Sequence, residues 1–311
     1  MGLSYQAVLL IAFGGPLSPE DVRLFLGRVL RGRPVPAGRV EEVVGHYLAV
    51  GGRSPIHDVT FQQARRLEDL LRERRLPLSV YVGMRHSRPF LRETLDQMVS
   101  DGVKRTLGFI LSPHRTEASW ERYQKNVEEA RLELGGAAPE IDYVSGWHAH
   151  PLFVEAVAAE IQSALEQIPE EGRRATPLVF TAHSVPVAMA ACSPYVRQIE
   201  ESARLVAERL GHGPWSIAYQ SRSGNPDEPW LGPAIGDALK AIAGQRATDV
   251  VVSPIGFVSD HVEVLYDLDI EAKKIAERLG MRYLRARSLN DHPIFIRMMA
   301  EVIQERMKAK G

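Results

Sequence analysis

The chain has 311 residues, of which 45% are hydrophobic and 25% charged, the make-up of ordinary globular protein and long enough for two domains. Its formal net charge of −1 argues against a nucleic-acid binder, whose phosphate contacts need a basic surface.

The first apolar run, Ala7–Phe13, follows no basic segment and is too short to span a bilayer. No uninterrupted apolar stretch of about 18 residues occurs further on, so the expectation is a soluble, cytoplasmic protein without a transmembrane segment. Further strand-like runs are Leu78–Met84, Arg105–Leu111, Glu140–Tyr143, Pro177–Ala182, Trp215–Gln220, Asp249–Pro254 and Arg282–Arg285. Their hydrophobicity is continuous rather than alternating, which predicts strands buried on both faces of a parallel sheet. Between them, Ser18-Pro19-Glu20-Asp21 reads as a helix start. Helical periodicity marks Thr60–Arg74, Phe90–Asp101, Glu117–Leu134, Pro151–Gln167, Pro194–Leu210, Gly232–Ala243 and His292–Ala309. Alternation of strand and helix throughout predicts an α/β protein built of right-handed βαβ units. Length and the long span Glu117–Leu134 favour two domains, divided as 1–117 and 118–311.

Cys192 is the single cysteine. That excludes an internal disulfide, a four-thiolate zinc site and a cysteine-ligated iron–sulfur cluster. Gly14-Gly15 is neither a dinucleotide fingerprint nor a P-loop, and Ser184 lacks a nucleophile elbow. Arg23, Arg28, Arg31, Arg33 and Arg39 lie close in sequence, as a solvated face or an anion site.

In open α/β sheets ligands bind beyond the carboxyl ends of the strands. Those positions hold Gly14-Gly15-Pro16, Arg85-His86-Ser87, Ser112-Pro113-His114-Arg115, His183-Ser184 and Gln220-Ser221, so polar groups converge on one rim. After Asp249–Pro254 comes an acidic stretch in which Glu263, Asp267 and Glu271 are spaced at i, i+4 and i+8. On an α-helix that spacing drifts by about 40° per step, so the three carboxylates share one face within about 12 Å. Such a row is either a solvated face or a place for a cation. His183 ends an otherwise apolar strand, as a hydrogen-bonded rim residue or as an imidazole that takes a proton or binds a metal. Opposite the acidic row it would complete an N/O site suited to ferrous iron. His148, His150 and His292 read as loop residues without partners, and His261 as a cap for the following helix.

The motifs Leu10–Pro16, Gly51–Ile56, Tyr81–His86, Thr181–Pro186, Gln220-Ser221 with Pro229–Pro233, and Gly256–Glu263 with Leu265–Asp267 resemble, in order, those of the ferrochelatase family. These enzymes insert ferrous iron into a porphyrin, and the resemblance covers essentially the whole chain. It implies two Rossmann-like domains, each with a four-stranded parallel sheet, facing each other across a porphyrin cleft, with the last helix packing back near domain one. It implies that His183 and Glu263 are catalytic and that His183, Glu263, Asp267 and Glu271 meet the metal. It implies that Phe13, Arg31, Ser54, Arg85, His86, Tyr123 and Trp230 bind the porphyrin, with Val29 or Leu30 and Met84 among the apolar walls. Iron is then substrate; no prosthetic group, iron–sulfur cluster or nucleotide is called for, and partners are haem-pathway enzymes upstream and downstream.

The substrate stays open between coproporphyrin III and protoporphyrin IX. Arginines at 28, 31, 33, 53, 85, 115 and 122 suit the ring with four propionates, and the compact length resembles that of coproporphyrin-type members. Coproporphyrin-type members often carry tyrosine where this chain has Phe13, which cannot ligate iron. Two other readings are a porphyrin carrier without catalysis and a cobalt or nickel chelatase of the same superfamily.

Overall fold

A computed structural model describes residues 5–31, 38–223 and 227–308. Its first half runs β1 (Ala7–Ala12), α1 (Asp21–Val29), α2 (Arg39–Ala49), α3 (Ile56–Glu73), β2 (Ser79–Met84), α4 (Leu91–Ser100) and β3 (Arg105–Ile110). A π-helix (Glu117–Glu121) then leads into α5 (Arg122–Leu134) and β4 (Glu140–Val144). The second half runs α6 (Pro151–Leu165), α7 (Glu170–Arg173), β5 (Leu178–His183), α8 (Val187–Ala191), α9 (Tyr195–Leu210), β6 (Trp215–Gln220), α10 (Ile235–Gly244) and β7 (Asp249–Ser253). It closes with α11 (Val262–Leu265), a second π-helix (Asp267–Ala272), α12 (Lys273–Arg278), β8 (Arg282–Arg285) and α13 (Pro293–Lys308).

All eight expected strands form, in two parallel sheets ordered β2-β1-β3-β4 and β6-β5-β7-β8. β1 is buried at every position, because its neighbours flank it in register (Leu10 opposite both Val82 and Phe109) and helices cover both faces. That double cover is what its unbroken AVLLIA run reflects. β4 pairs with β3, Arg105 opposite Glu140, so the first sheet extends to Val144. The division expected at 117/118 therefore falls inside the first sheet's own βαβ unit, and the crossing lies near Trp147. The helix α2 had no counterpart among the expected elements. At the start of α1 the Ser18 side chain is not the cap; its carbonyl accepts the Asp21 N–H, and the helix proper begins at Asp21.

One apolar core serves both halves. Trp147, buried at the crossing, stacks on Phe109 of β3 (centroids 5.4 Å apart), meets Phe153 of α6 edge-on (5.5 Å) and packs at a tilt on Phe295 of α13 (6.1 Å). As the resemblance implied, α13 returns to the first half and packs between α3 and α6. Gln63 of α3 fastens that return, its Nε2 donating to the Asn290 carbonyl at 2.7 Å and lying 3.3 Å from Ser259 Oγ. Among the described residues no helix is long and apolar enough to cross a membrane.

Candidate active site

The strand ends place the site. β5 ends at His183 and β7 leads into the loop that carries Glu263. Gly256 lets that loop cross close over β5: its N–H donates to the Thr181 carbonyl at 3.0 Å, and a Cβ there would lie 2.8 Å from Ala182. The crossing sets His183 Nε2 3.5 Å from Glu263 Oε1, with the two side chains 29% and 40% exposed toward open space. His183 Nδ1 faces the Ser184 carbonyl, which only accepts, so Nδ1 carries a hydrogen; Nε2 is left as the nitrogen that exchanges a proton, with the Glu263 carboxylate beside it to favour the charged ring.

The electrostatics of the pair are mutual. Burial draws the His183 imidazole down, but the Glu263 carboxylate outweighs it, with the Ser184 carbonyl and Asp267 adding, and holds the ring above its ordinary value. Burial pushes Glu263 up, yet His183, then His261 and Arg39, keep its carboxyl well below the usual range. Gln220 of β6 donates to the Glu263 carbonyl, and His261 caps α11 by accepting the Glu263 N–H at 3.1 Å. Tyr47 and Tyr123 of the first half, and Tyr195 of the second, all lie within electrostatic reach of Glu263. Both halves thus converge on this carboxylate.

The acidic row differs from the expected α-helix. The Ile270 and Glu271 N–H groups both bond to the Tyr266 carbonyl, and the segment 267–272 is a π-helix between α11 and α12. A wider turn advances each residue by less than the α-helical angle, which offsets the drift of the row. Asp267 accepts a hydrogen bond from Ser221, which sits at φ +61° just after β6. Asp267 is lifted to about 7, chiefly by burial, with Ser221 pulling down and the Glu263 and Glu271 charges pushing up. Glu271 stands beyond, in reach of Asp267, Tyr266 and His46. Among the described residues no three His, Cys, Asp or Glu side chains are arranged as a metal cage. His183 and Glu263 are thus in contact, while Asp267 and Glu271 lie further along the row.

The expected ring-binding residues divide. Phe13, His86 and Arg85 meet at the end of β1: the Phe13 and His86 rings are 4.7 Å apart, and the Arg85 guanidinium lies 5.6 Å from Phe13 and 4.4 Å from Tyr123. Arg85 Nε also donates to Asn126 Oδ1 at 2.7 Å. Val29 and Leu30 join Phe25, Tyr47, Phe13, Val262 and Tyr266 in an apolar cluster, so α1 and α2 form a lip over the acidic segment. His46 of α2 lies flat on Tyr266, centroids 3.7 Å apart. Trp230 is half-buried beside Pro186, with its indole N–H unpaired. Ser54 is 2% exposed and closed against Gly15, where a Cβ would come within 2.4 Å of it. Met84 is wholly buried beneath the sheet end, so it is core and not a wall of the cleft. Arg31 is exposed at the end of α1, and Arg33 lies outside the described residues.

The arginine rim is already paired. Arg28 donates to the His86 carbonyl and to Asp21, Arg53 pairs with Asp58, Arg115 with Glu121, and Arg122 with Glu117. The pairs of Arg53, Arg115 and Arg122 are exposed and therefore weak, which leaves those guanidinium groups exchangeable toward a ligand carboxylate, while that of Arg28 is half-buried. The histidines expected to lack partners have them: His148 Nε2 lies 3.0 Å from Glu201, His150 accepts the Leu152 N–H, and His292 that of Ile294. Ser221 and Tyr195 carried no functional signal in the sequence beyond their place beside the strand ends. A hollow of about 290 Å³ lined by Phe61, Arg65, Glu68 and Val80 sits on the outer edge of the first sheet, remote from this chemistry.

Residues 5–307 match the sequence model of the family described as Ferrochelatase. The chain belongs to the ferrochelatase family. It is 43% identical to the coproporphyrin III ferrochelatase of Nocardia farcinica, over 98% of this chain and 89% of that one. It is 40% identical to the ferrochelatase of Rhodopirellula baltica, over 97% of this chain and 86% of the relative. Among solved structures, SirB from Bacillus subtilis with Fe3+ superposes with a TM-score of 0.61 at 10% identity, covering 97% of this chain and 95% of that one. At that identity the likeness speaks for the two-sheet chelatase fold alone.

Proposed function

We propose that this member of the ferrochelatase family takes coproporphyrin III as its porphyrin, with His183 as the proton acceptor at the ring centre and Glu263 as its partner. Membership of the family makes the chain an enzyme that inserts ferrous iron into a porphyrin in haem synthesis. The observation that carries the assignment of roles is the 3.5 Å approach of His183 Nε2 to Glu263 Oε1 where both halves converge.

A free-base porphyrin must lose two N–H protons as iron enters. The Nε2 lone pair of His183 takes a pyrrole proton, and the anionic Glu263 stabilises the imidazolium that results. Asp267, lifted to about 7, is poised to receive a proton next, and Glu271 beyond it leads to solvent. Iron is substrate throughout, and no prosthetic group takes part. Phe13, His86, Tyr123 and Trp230 supply apolar surface to grip the ring, and Arg31 and Arg85 face its carboxylates in this reading, while the buried Ser54 supports the turn beneath them. Coproporphyrin III is favoured by relatives that are coproporphyrin III ferrochelatases, such as that of Nocardia farcinica, and by arginines whose own pairings are weak. We assign the reaction to the cytoplasm, a reducing compartment that would keep the exposed, unpaired Cys192 as a thiol.

Anaerobic mixing with ferrous iron and either porphyrin, followed by absorbance, tests this. Coproporphyrin III should turn over faster than protoporphyrin IX, and His183→Ala should lose about 100-fold or more in kcat. Faster turnover of protoporphyrin IX overturns the substrate assignment, and wild-type rates in the variant overturn the role of His183. Tight porphyrin binding without insertion would mean a carrier.

A further inference from the structure

Tyr195 opens α9 and is 6% exposed. A phenylalanine would fill the same space, and burying a phenol hydroxyl is unfavourable unless it is hydrogen-bonded. Its hydroxyl donates to the main-chain carbonyl of His183 at 2.9 Å. That carbonyl belongs to the residue whose ring is fixed on one side by the Ser184 carbonyl and stands opposite Glu263 on the other. A small rotation of this peptide swings the Nε2 lone pair away from its target, so the carbonyl is a sensitive point to hold.

The same face of α9 is bound to the first half of the chain. Tyr195, Gln198 and Ser202 are spaced at i, i+3 and i+7, one side of a helix. His114, in the connection after β3, lies edge-on to Tyr195 with centroids 6.3 Å apart and has Nε2 3.0 Å from Ser202 Oγ. The adjacent Arg115 N–H donates to Gln198 Oε1 at 2.8 Å. Ser202 also reaches the His148 carbonyl at the crossing between the sheets, 2.9 Å away. One helical face thus holds the first half with two side chains and the end of β5 with the third.

We propose that Tyr195 is a positioning residue for His183: it fixes the peptide that aims Nε2, and through its packing on His114 it ties that aim to the seating of the first half. The proposal rests on His183 being the proton acceptor.

Tyr195→Phe tests it. Iron insertion is followed anaerobically on full-length wild type and variant, with coproporphyrin III and protoporphyrin IX, alongside imidazole nitrogen NMR of His183 in histidine-labelled protein. Loss of one buried hydrogen bond that acts on the base predicts kcat lower by about fivefold, porphyrin KM within about twofold, and a displaced His183 imidazole resonance. Gln198→Ala, which cuts only the bond to Arg115, should shift kcat in the same direction by about twofold. Wild-type kcat in Tyr195→Phe overturns the proposal. So does a lowered kcat with an unmoved His183 resonance, since general loosening then explains the loss. A wild-type protein that inserts no iron overturns the functional reading instead, which keeps the two failures apart.

Discussion

Ser221, with its backbone in the left-handed region, directs its hydroxyl at the carboxylate of Asp267. A non-glycine residue holds such a conformation only where its surroundings impose it, and here the consequence is a fixed partner for a half-buried acid. Asp267 moves from an ordinary value of 3.8 to about 7, chiefly through burial. The folded chain therefore holds a proton that the unfolded chain has released between about pH 4 and about pH 7. Stability contributed by this group is present below that window and is lost as pH rises through it, with a slope of at most about 1.4 kcal/mol per pH unit. Asp267→Asn should flatten the decline between pH 5 and pH 7.5 in urea unfolding. An unchanged slope would remove the assigned shift.

Glu263 acts in the opposite sense on its neighbour. It raises the His183 imidazole against the lowering effect of burial. Activity that depends on a neutral imidazole falls on the acid side as the ring protonates. Glu263→Gln removes the partner charge and leaves burial dominant, so the acid limb of kcat/KM should move to lower pH while the rate at its plateau drops. Profiles from pH 5 to 9 check this. A limb that moves upward or stays in place contradicts the pairing.

Glu271 lies outside the His183–Glu263 contact, at the outer end of the row. Its charge should matter for bringing a cation to the site rather than for gripping the ring. Glu271→Ala is expected to raise the KM for ferrous iron by about threefold to tenfold and leave porphyrin KM unchanged. Iron kinetics equal to wild type would make Glu271 a solvated surface residue.

Trp147 joins β3, α6 and α13 at the crossing between sheets, through the rings of Phe109, Phe153 and Phe295. Trp147→Ala should cost about 3–5 kcal/mol. Since the core is shared, thermal unfolding should remain a single transition at lower temperature; two resolved transitions would show that the halves have separate cores.

The strands were readable because burial on both faces leaves no room for alternation: β1 is apolar throughout since α-helices and two neighbouring strands leave it no wet side. The same logic placed His183 at a strand end and made it a candidate. The winding of residues 267–272 was not readable. Spacing at i, i+4 and i+8 fits an α-helix and a π-turn alike over so short a stretch, and the choice is made by tertiary contacts, with Leu268 and Ala272 buried and Asp269 bonded to Arg285 of β8. A helical span of 18 residues looks like a link between domains in the sequence, although α5 is a crossover helix to β4. Met84 was mistaken for a wall because strand ends supply both site and core, and only the direction of the side chain separates them.

The return of α13 has a bearing on synthesis. The helix that closes over α3 and α6 is the last one described, and Phe295, Met299 and Ile303 belong to the apolar cluster that includes Leu67 and Leu71. Chains emerge from the ribosome N-terminus first, and early domains commonly fold as they appear. Here the early half would wait with α3 partly uncovered until residues 293–308 arrive. A nascent chain stalled before Pro293 should expose that face and bind a hydrophobic dye or a chaperone, which makes the arrival of α13 the step that seals it.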